Sequence, residues 1–275
     1  MSISAPRYTS GPLPRLGRDS RVMAIASREF HHRAQWTVLV PVTLTFMTVV
    51  LTTVVNVFFT SLVGTVTSAT FTAAVSSPAW PYLMLIVTAT VGAGTLADDV
   101  GSRAITLYLS RPVRLLDYLV AKTVGCGGWL LIAALGPGVL AVGITAALGY
   151  ATATVALEAA GGFLVVGLLA AVFFAGLAIA LSSLTNRALY AGVTIFGLVL
   201  TLDIGASIVA GISGNSQVGY ADPVANVLAV AHQAFSVSGT SSLDPGVSAA
   251  ILLLSGVAMW IFAGWKLRRV EVIAE

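Results

Sequence analysis

Apolar runs dominate the chain, and short polar breaks separate them. Six stretches are long and apolar enough to cross a bilayer: Trp36 to Leu62, Trp80 to Ala97, Thr123 to Ala147, Gly162 to Leu184, Ala188 to Ile212 and Ala249 to Trp265. A spanning helix needs about 20 such residues for a hydrocarbon core of about 30 Å. The pattern predicts an all-α integral membrane protein with six transmembrane helices. Ahead of the first span, residues 18 to 35 read as an amphipathic helix, with Met23, Ala26 and Phe30 on one face and Arg21, Arg28 and Arg33 elsewhere. Between the fifth and sixth spans, residues 213 to 248, "DPVANVLAVAHQAF" reads as an outer helix with Asp222 as N-cap and Pro223 in its first turn.

Composition agrees with that reading. Only 9% of the 275 residues are charged, against roughly a quarter in an ordinary soluble domain, and the mean hydropathy is +0.95. Residues 1 to 17, rich in Pro, Gly and Ser with two arginines, read as a disordered basic tail, and 18 to 275 as one six-span domain. The lone Cys126 permits no disulfide within the chain.

Charge sets the expected orientation. Arg7 to Arg33 precede the first span; Arg103, Arg111, Arg114 and Lys122 lie between the second and third; Arg187 lies between the fourth and fifth; Lys266, Arg268 and Arg269 follow the sixth. These are all 14 cations, and every one falls on the same side. The positive-inside rule then makes that side, and both termini, cytoplasmic. Multi-pass insertion in the cell membrane is the expected location, and nothing points to nucleic acid.

The largest connection on the positive side, residues 98 to 122, is "DDVGSRAITLYLSRPVRLLDYLVAK". Ser102 to Ser110 can form a short helix with Ser102 as N-cap, ended by Pro112, because the residue before a proline avoids the helical region. Ile105, Tyr108 and Leu109 fall at i, i+3, i+4, framed by Arg103 and Arg111. Two readings fit: a solvated loop whose arginines fix topology, or a peg for a soluble partner.

The same stretch resembles the cytoplasmic segment of ABC transporter permeases of the type-2 export family, whose pattern is "E-x-x-x-G-T-x-x-x-L-L-S-x-P-V-S-R...G-K". Asp98 and Asp99 stand near the acidic position, Leu107 to Val113 match the "L-L-S-x-P-V" core, and Arg114 and Lys122 match the basic positions. Ala104-Ile105 replaces the usual Gly-Thr, and Ala121 the small residue before the lysine. "SREFHHRAQW", Ser27 to Trp36, is similar to the "K-E-x-x-x-x-R" element of the family's connector helix, with Glu29 and Arg33 an i, i+4 pair.

The resemblance implies a transmembrane subunit of an ATP-driven exporter. It implies a coupling helix between spans two and three, and ATPase coupling through Glu29, Arg33, Arg103, Ile105, Tyr108, Leu109, Arg111 and Pro112. The implied partners are a separate ATP-binding cassette subunit, which carries the ATP and Mg, and a second permease copy, identical or paralogous. This chain has no G-x-x-x-x-G-K-[ST] phosphate loop and no candidate catalytic, cofactor or metal set, so it is expected to be no enzyme. An ion-driven secondary transporter and a non-transporting scaffold are the rival classes. The substrate is not legible.

Inside the spans two features invite function. Thr45, Thr48, Thr52 and Asn56 put a polar stripe on span one, which fits helix packing or, at Thr48, Thr52 and Asn56, a translocation path. Asp203 is the one ionisable residue well within a span, roughly 14 Å from Ile212 at about 1.5 Å per residue. A carboxylate there fits either a transport role or packing and hydration near the outer surface. His232, in the outer connection, reads as a surface residue or a substrate contact.

Overall fold

The computed structural model describes residues 18–102, 114–237 and 242–273. Among them the chain is helical, with no strand. Helix α1 (Arg18–His32) precedes α2 (Trp36–Val63). A 3₁₀ segment (Ser68–Ala74) leads to α3 (Ala79–Gly92) and α4 (Gly94–Gly101). Then come α5 (Leu115–Ala147), α6 (Ala153–Ser182) and α7 (Ala188–Ser213). A second 3₁₀ segment (Ser216–Ala221), α8 (Pro223–Ala234) and α9 (Pro245–Ile273) complete the order. Six helical stretches are long and apolar enough to cross a membrane, α3 and α4 together forming the second.

Helix α6 is the centre of the bundle. Its most apolar window is 67% buried, against 17% for α7 and 22% for α9. Small residues allow that burial: the space of a Cβ at Gly176 is filled by the Gly256 backbone of α9, and that at Gly167 by Leu135 of α5. Close approach through Gly and Ala is how helices associate where lipid tails remove the hydrophobic drive between them. The outward faces of α2 and α7 carry Leu44, Met47, Leu51, Val193, Ile204 and Ile208, all exposed as bilayer-facing side chains are.

Two breaks shape the bundle. Span two is interrupted at Ala93, between α3 and α4, where Ser182 of α6 inserts its hydroxyl: Oγ accepts from Leu96 N (2.8 Å) and Ala97 N (2.9 Å) and donates to the Ala93 carbonyl (2.9 Å). Helix α7 ends on Gly214 at φ 65°, a left-handed cap that glycine adopts without steric cost, with its N–H bonded to the Ala210 carbonyl.

The ends of the bundle are well separated in kind. At the α1 end, Leu96, Leu115, Tyr118, Leu119, Ile179 and Leu267 form one apolar cluster. Arg28, Arg33, Arg114, Lys122, Arg187, Lys266, Arg268 and Arg269 all belong to helices or turns meeting there. At the far end lie the two 3₁₀ segments and α8, with Glu158, Asp222 and Asp244.

Several boundaries differ from the sequence expectation. The third span starts at Leu115 rather than Thr123, because Asp117 and Lys122 are buried against neighbours instead of solvated. The second runs on to Gly101, and the fourth starts at Ala153. Ser102 has helical angles and closes α4, its hydroxyl donating to the Asp98 carbonyl; the short helix expected to follow it lies outside the described residues. The expected coupling residues Arg103, Ile105, Tyr108, Leu109, Arg111 and Pro112 lie outside the described residues, as does the basic tail.

Candidate functional site

The charged residues flanking the 103–113 segment converge on α1. Helix α1 lies against α5 because α5 presents glycines there: a Cβ at Gly125 would sit 2.7 Å from the Glu29 Cβ and 3.0 Å from the Ala26 carbonyl oxygen, and one at Gly128 would meet the Phe30 ring at 3.2 Å. Phe30 stacks on Trp129 at 4.8 Å, and the Trp129 indole N–H donates to the Phe30 carbonyl at 2.9 Å. This seat buries Ala26 and Glu29, while Met23, one turn earlier, is 68% exposed.

On that seat an ion cluster forms. Lys122 Nζ bonds Glu29 Oε2 at 2.6 Å and Asp99 Oδ2 at 2.8 Å. Arg33 Nε donates to Glu29 Oε1 at 2.9 Å, and its Nη2 is 3.7 Å from Asp98 Oδ2. The Tyr118 hydroxyl donates to Asp99. Gly94 leaves the room: a Cβ there would lie 2.5 Å from Arg33 Nη1 and 2.3 Å from Asp98 Oδ2. Two cations thus face three carboxylates with Lys122 and Glu29 each 6% exposed. Buried charges persist only when paired and hydrogen-bonded, as here.

This cluster grips both ends of the 103–113 segment. Asp98 and Asp99 stand in the last turns of α4, and Tyr118 and Lys122 in the first turns of α5. The turn after α6 joins them, since a Cβ at Gly101 would lie 2.3 Å from the Asn186 carbonyl oxygen. Glu29 and Arg33, singled out in the sequence, are therefore brought together with Asp98, Asp99 and Lys122. Gly94, Gly125, Tyr118 and Trp129 were missed; the "VGCGGW" run is the signal for a close helix approach at that point.

The remaining candidates lie toward the far end and are not joined to that cluster. The span-one stripe divides: Thr45 is packed and bonds the Pro41 carbonyl, Thr48 is half-buried, Thr52 faces outward, and Asn56 donates to the Thr70 carbonyl at 2.7 Å. Asp203 on α7 accepts a hydrogen bond from the Tyr82 hydroxyl of α3. Asp222 is the N-cap of α8, its Oδ1 accepting from Val224 N at 2.7 Å, as the sequence predicts. Burial, and the charge of Asp203 beside it, push the Asp222 carboxyl up to about 6 against the pull of the Val224 N–H. Asp222 and His232 help line a cleft of about 460 Å³ with Ser207, Leu228 and Leu243. Burial holds the His232 imidazole below its ordinary value.

Among the described residues no three His, Cys, Asp or Glu side chains are arranged to hold a metal ion. What the two regions can do is mechanical and electrostatic: one locks three helices at a charged junction, the other places the Asp222 carboxyl at a cleft beside α8. No protein-family model matches the chain, and no curated protein matches it.

Proposed function

We propose that this chain is the transmembrane subunit of an ATP-driven export system. It would form the translocation path with a second permease copy and take its energy from a separate ATP-binding subunit. The observation that carries the reading is the Lys122 cluster. The positions that resemble the export permeases' connector and coupling motifs are far apart in sequence, Glu29 and Lys122 by 93 residues, yet they bond directly.

In this reading the positive end is cytoplasmic, with both termini, and α1 is the connector helix along the inner membrane face. The ATPase closes on ATP and displaces the 103–113 segment. Because α4, α5 and α1 are locked together by Lys122, Glu29, Asp99 and Arg33, that displacement moves the second and third spans and α1 as a unit rather than bending a loop. The break at Ala93, clamped by Ser182, is where motion of α4 can be passed to α3 and α6. A lock of this kind acts only if it is stiffer than the path to be opened, which the burial of Lys122 and Glu29 favours.

An ion-driven transporter is the second reading, and the Asp203–Asp222 pair is the observation that favours it. Its two carboxyls lie at one end of the bundle, whereas ion-coupling sites lie near the bilayer midplane. Purification of the tagged chain from its native membrane after mild cross-linking separates the classes. An ATPase with a phosphate loop should co-purify, and its ATP turnover should respond to the permease. Recovery without such a subunit, with uptake or efflux driven by an ion gradient, would establish the second reading. Recovery with other membrane proteins and no transport would leave a scaffold.

A further inference from the structure

We infer that the slot between α5, α6 and α9 holds an acyl chain of an anionic phospholipid, whose phosphate is met by Arg268 and Arg114. The inference needs only that the six helices cross a bilayer, and it is independent of the transport reading.

The slot is apolar throughout and has a volume of about 490 Å³. Buried Ala171, Ala175 and Gly176 of α6 form its floor, while exposed Val124 of α5 and Val257 of α9 stand at its rim, so it opens sideways toward lipid. Its two hydrogen-bonding side chains satisfy each other. The Trp260 indole N–H donates to Thr123 Oγ1 at 2.9 Å, and that hydroxyl donates to the Leu119 carbonyl at 2.7 Å. A polar occupant would find no side-chain partner here, so the slot selects hydrocarbon.

Width decides which hydrocarbon. Thr123 to Leu131 is about 12 Å of helix at about 1.5 Å per residue, so a volume of about 490 Å³ leaves a mean width of about 6 Å. A helix of a second copy, about 10–12 Å across with its side chains, would rest on the rim and leave the floor uncovered. An apolar gap left in that way forfeits its dispersion contacts, and an extended lipid tail fills it. Gly127 makes the room, since a Cβ there would meet nothing within 4 Å.

Depth places the slot among the tails of one leaflet. Exposed Trp265 ends the apolar run of α9, where tryptophan marks a membrane–water interface, and the Arg269 guanidinium stacks on its ring at 3.8 Å. Trp260 and Gly256 lie about 8 Å and about 14 Å deeper along α9. That is one leaflet's share of a hydrocarbon core of about 30 Å.

Beyond Trp265 the same side of the bundle carries cations. Val257 and Arg268 are at i and i+11, three turns apart on one face of α9. Helices α5 and α9 run antiparallel with Thr123 against Trp260 and Leu119 against Gly264, and that register sets Arg268 level with Leu115 and the N-cap Arg114. Exposed Val120 and Leu116 carry the apolar track between the slot and Arg114. Both arginines are exposed, and among the described residues neither pairs with a carboxylate; Asp117, in the first turn of α5, is buried. Two guanidiniums at headgroup level above a hydrocarbon slot complement a lipid phosphate above its tail.

The test uses the full chain in phosphatidylcholine nanodiscs doped with phosphatidylglycerol that carries a photoreactive diazirine on one acyl chain. Mass spectrometry locates the cross-linked peptides. Label should concentrate in residues 123–131 and 256–260, and unlabelled phosphatidylglycerol should compete for it several-fold better than added phosphatidylcholine. Gly127→Leu puts a side chain into the open space and should cut label at the slot several-fold, with the rest of the lipid-facing surface labelled as before. The double change Arg114→Gln and Arg268→Gln should keep the label and lose the preference for phosphatidylglycerol. Equal competition by the two lipids in the wild type, undiminished label in Gly127→Leu, or chain-to-chain cross-links at the slot in place of lipid would overturn the assignment.

Discussion

Lys122 Nζ lies 2.6 Å from Glu29 Oε2, joining the first turns of α5 to the helix that precedes the first span. The same ammonium holds Asp99 at 2.8 Å, so one buried cation fastens α1, α4 and α5. Lys122→Met should leave Asp99 without a cation and Glu29 with Arg33 alone, and destabilise the fold by about 3–5 kcal/mol, the usual result of breaking a buried pair from one side. Thermal unfolding in detergent checks the size. The double change with Asp99→Asn should recover part of the loss, because it removes the stranded charge.

Gly125→Ala tests the seat beneath that pair. The added methyl would meet Glu29 Cβ at 2.7 Å and the Ala26 carbonyl oxygen at 3.0 Å, one side chain and one backbone atom, so α1 must lift. The expected cost is about 1–3 kcal/mol, as for overpacking elsewhere. Hydrogen exchange in residues 18 to 32 should rise, with the far end of the bundle unaffected.

Ser182→Ala removes the acceptor for two backbone N–H groups and the donor to the Ala93 carbonyl. Some of those groups can bond again within a straightened helix, so the loss should stay near 1–3 kcal/mol. The signature is local: faster exchange at Leu96 and Ala97, and weaker docking of α4 on α6.

For Asp222 the sign follows from a folded value raised from 3.8 to about 6. Its favourable contribution is present in full below about 3.8 and is lost as pH rises through about 6. Asp222→Asn keeps the cap without the charge. Its Tm should match the wild type below about pH 3.8, exceed it by an amount that grows between about 3.8 and about 6, and keep a constant lead above that, which a pH series of melting curves on both proteins measures.

Much of this architecture is legible in the chain, because spans are written in length and hydropathy and the backbone must bond within itself in lipid. The cap at Asp222-Pro223 is legible too, being local chemistry. What the sequence conceals is pairing at a distance. Asp117 and Lys122 look like loop residues until their burial makes them the first turns of the third span. The Thr45 to Asn56 stripe reads as one face, yet the packed positions are Thr45, Val49, Thr53 and Val57, which turns Thr52 outward. Asp203 announces itself as costly, but its partners Tyr82 and Asp222 are named only by the fold. Ser182 carries no signal at all, since one serine in an apolar helix is common and its role depends on residues 85 and 86 positions away.

The central claim is that an ATP-binding subunit drives this chain through the stretch between Asp99 and Arg114. Co-purified permease and ATPase, reconstituted together in proteoliposomes, test it most directly when the wild type is compared with the double change Tyr108→Ala and Leu109→Ala. Apolar side chains on a short segment outside the membrane gain about 1.5–3 kcal/mol each by burial against a partner. The double variant should therefore release the ATPase, or hydrolyse ATP without export, while inserting normally. Undiminished binding with fully coupled transport in that variant would contradict the account.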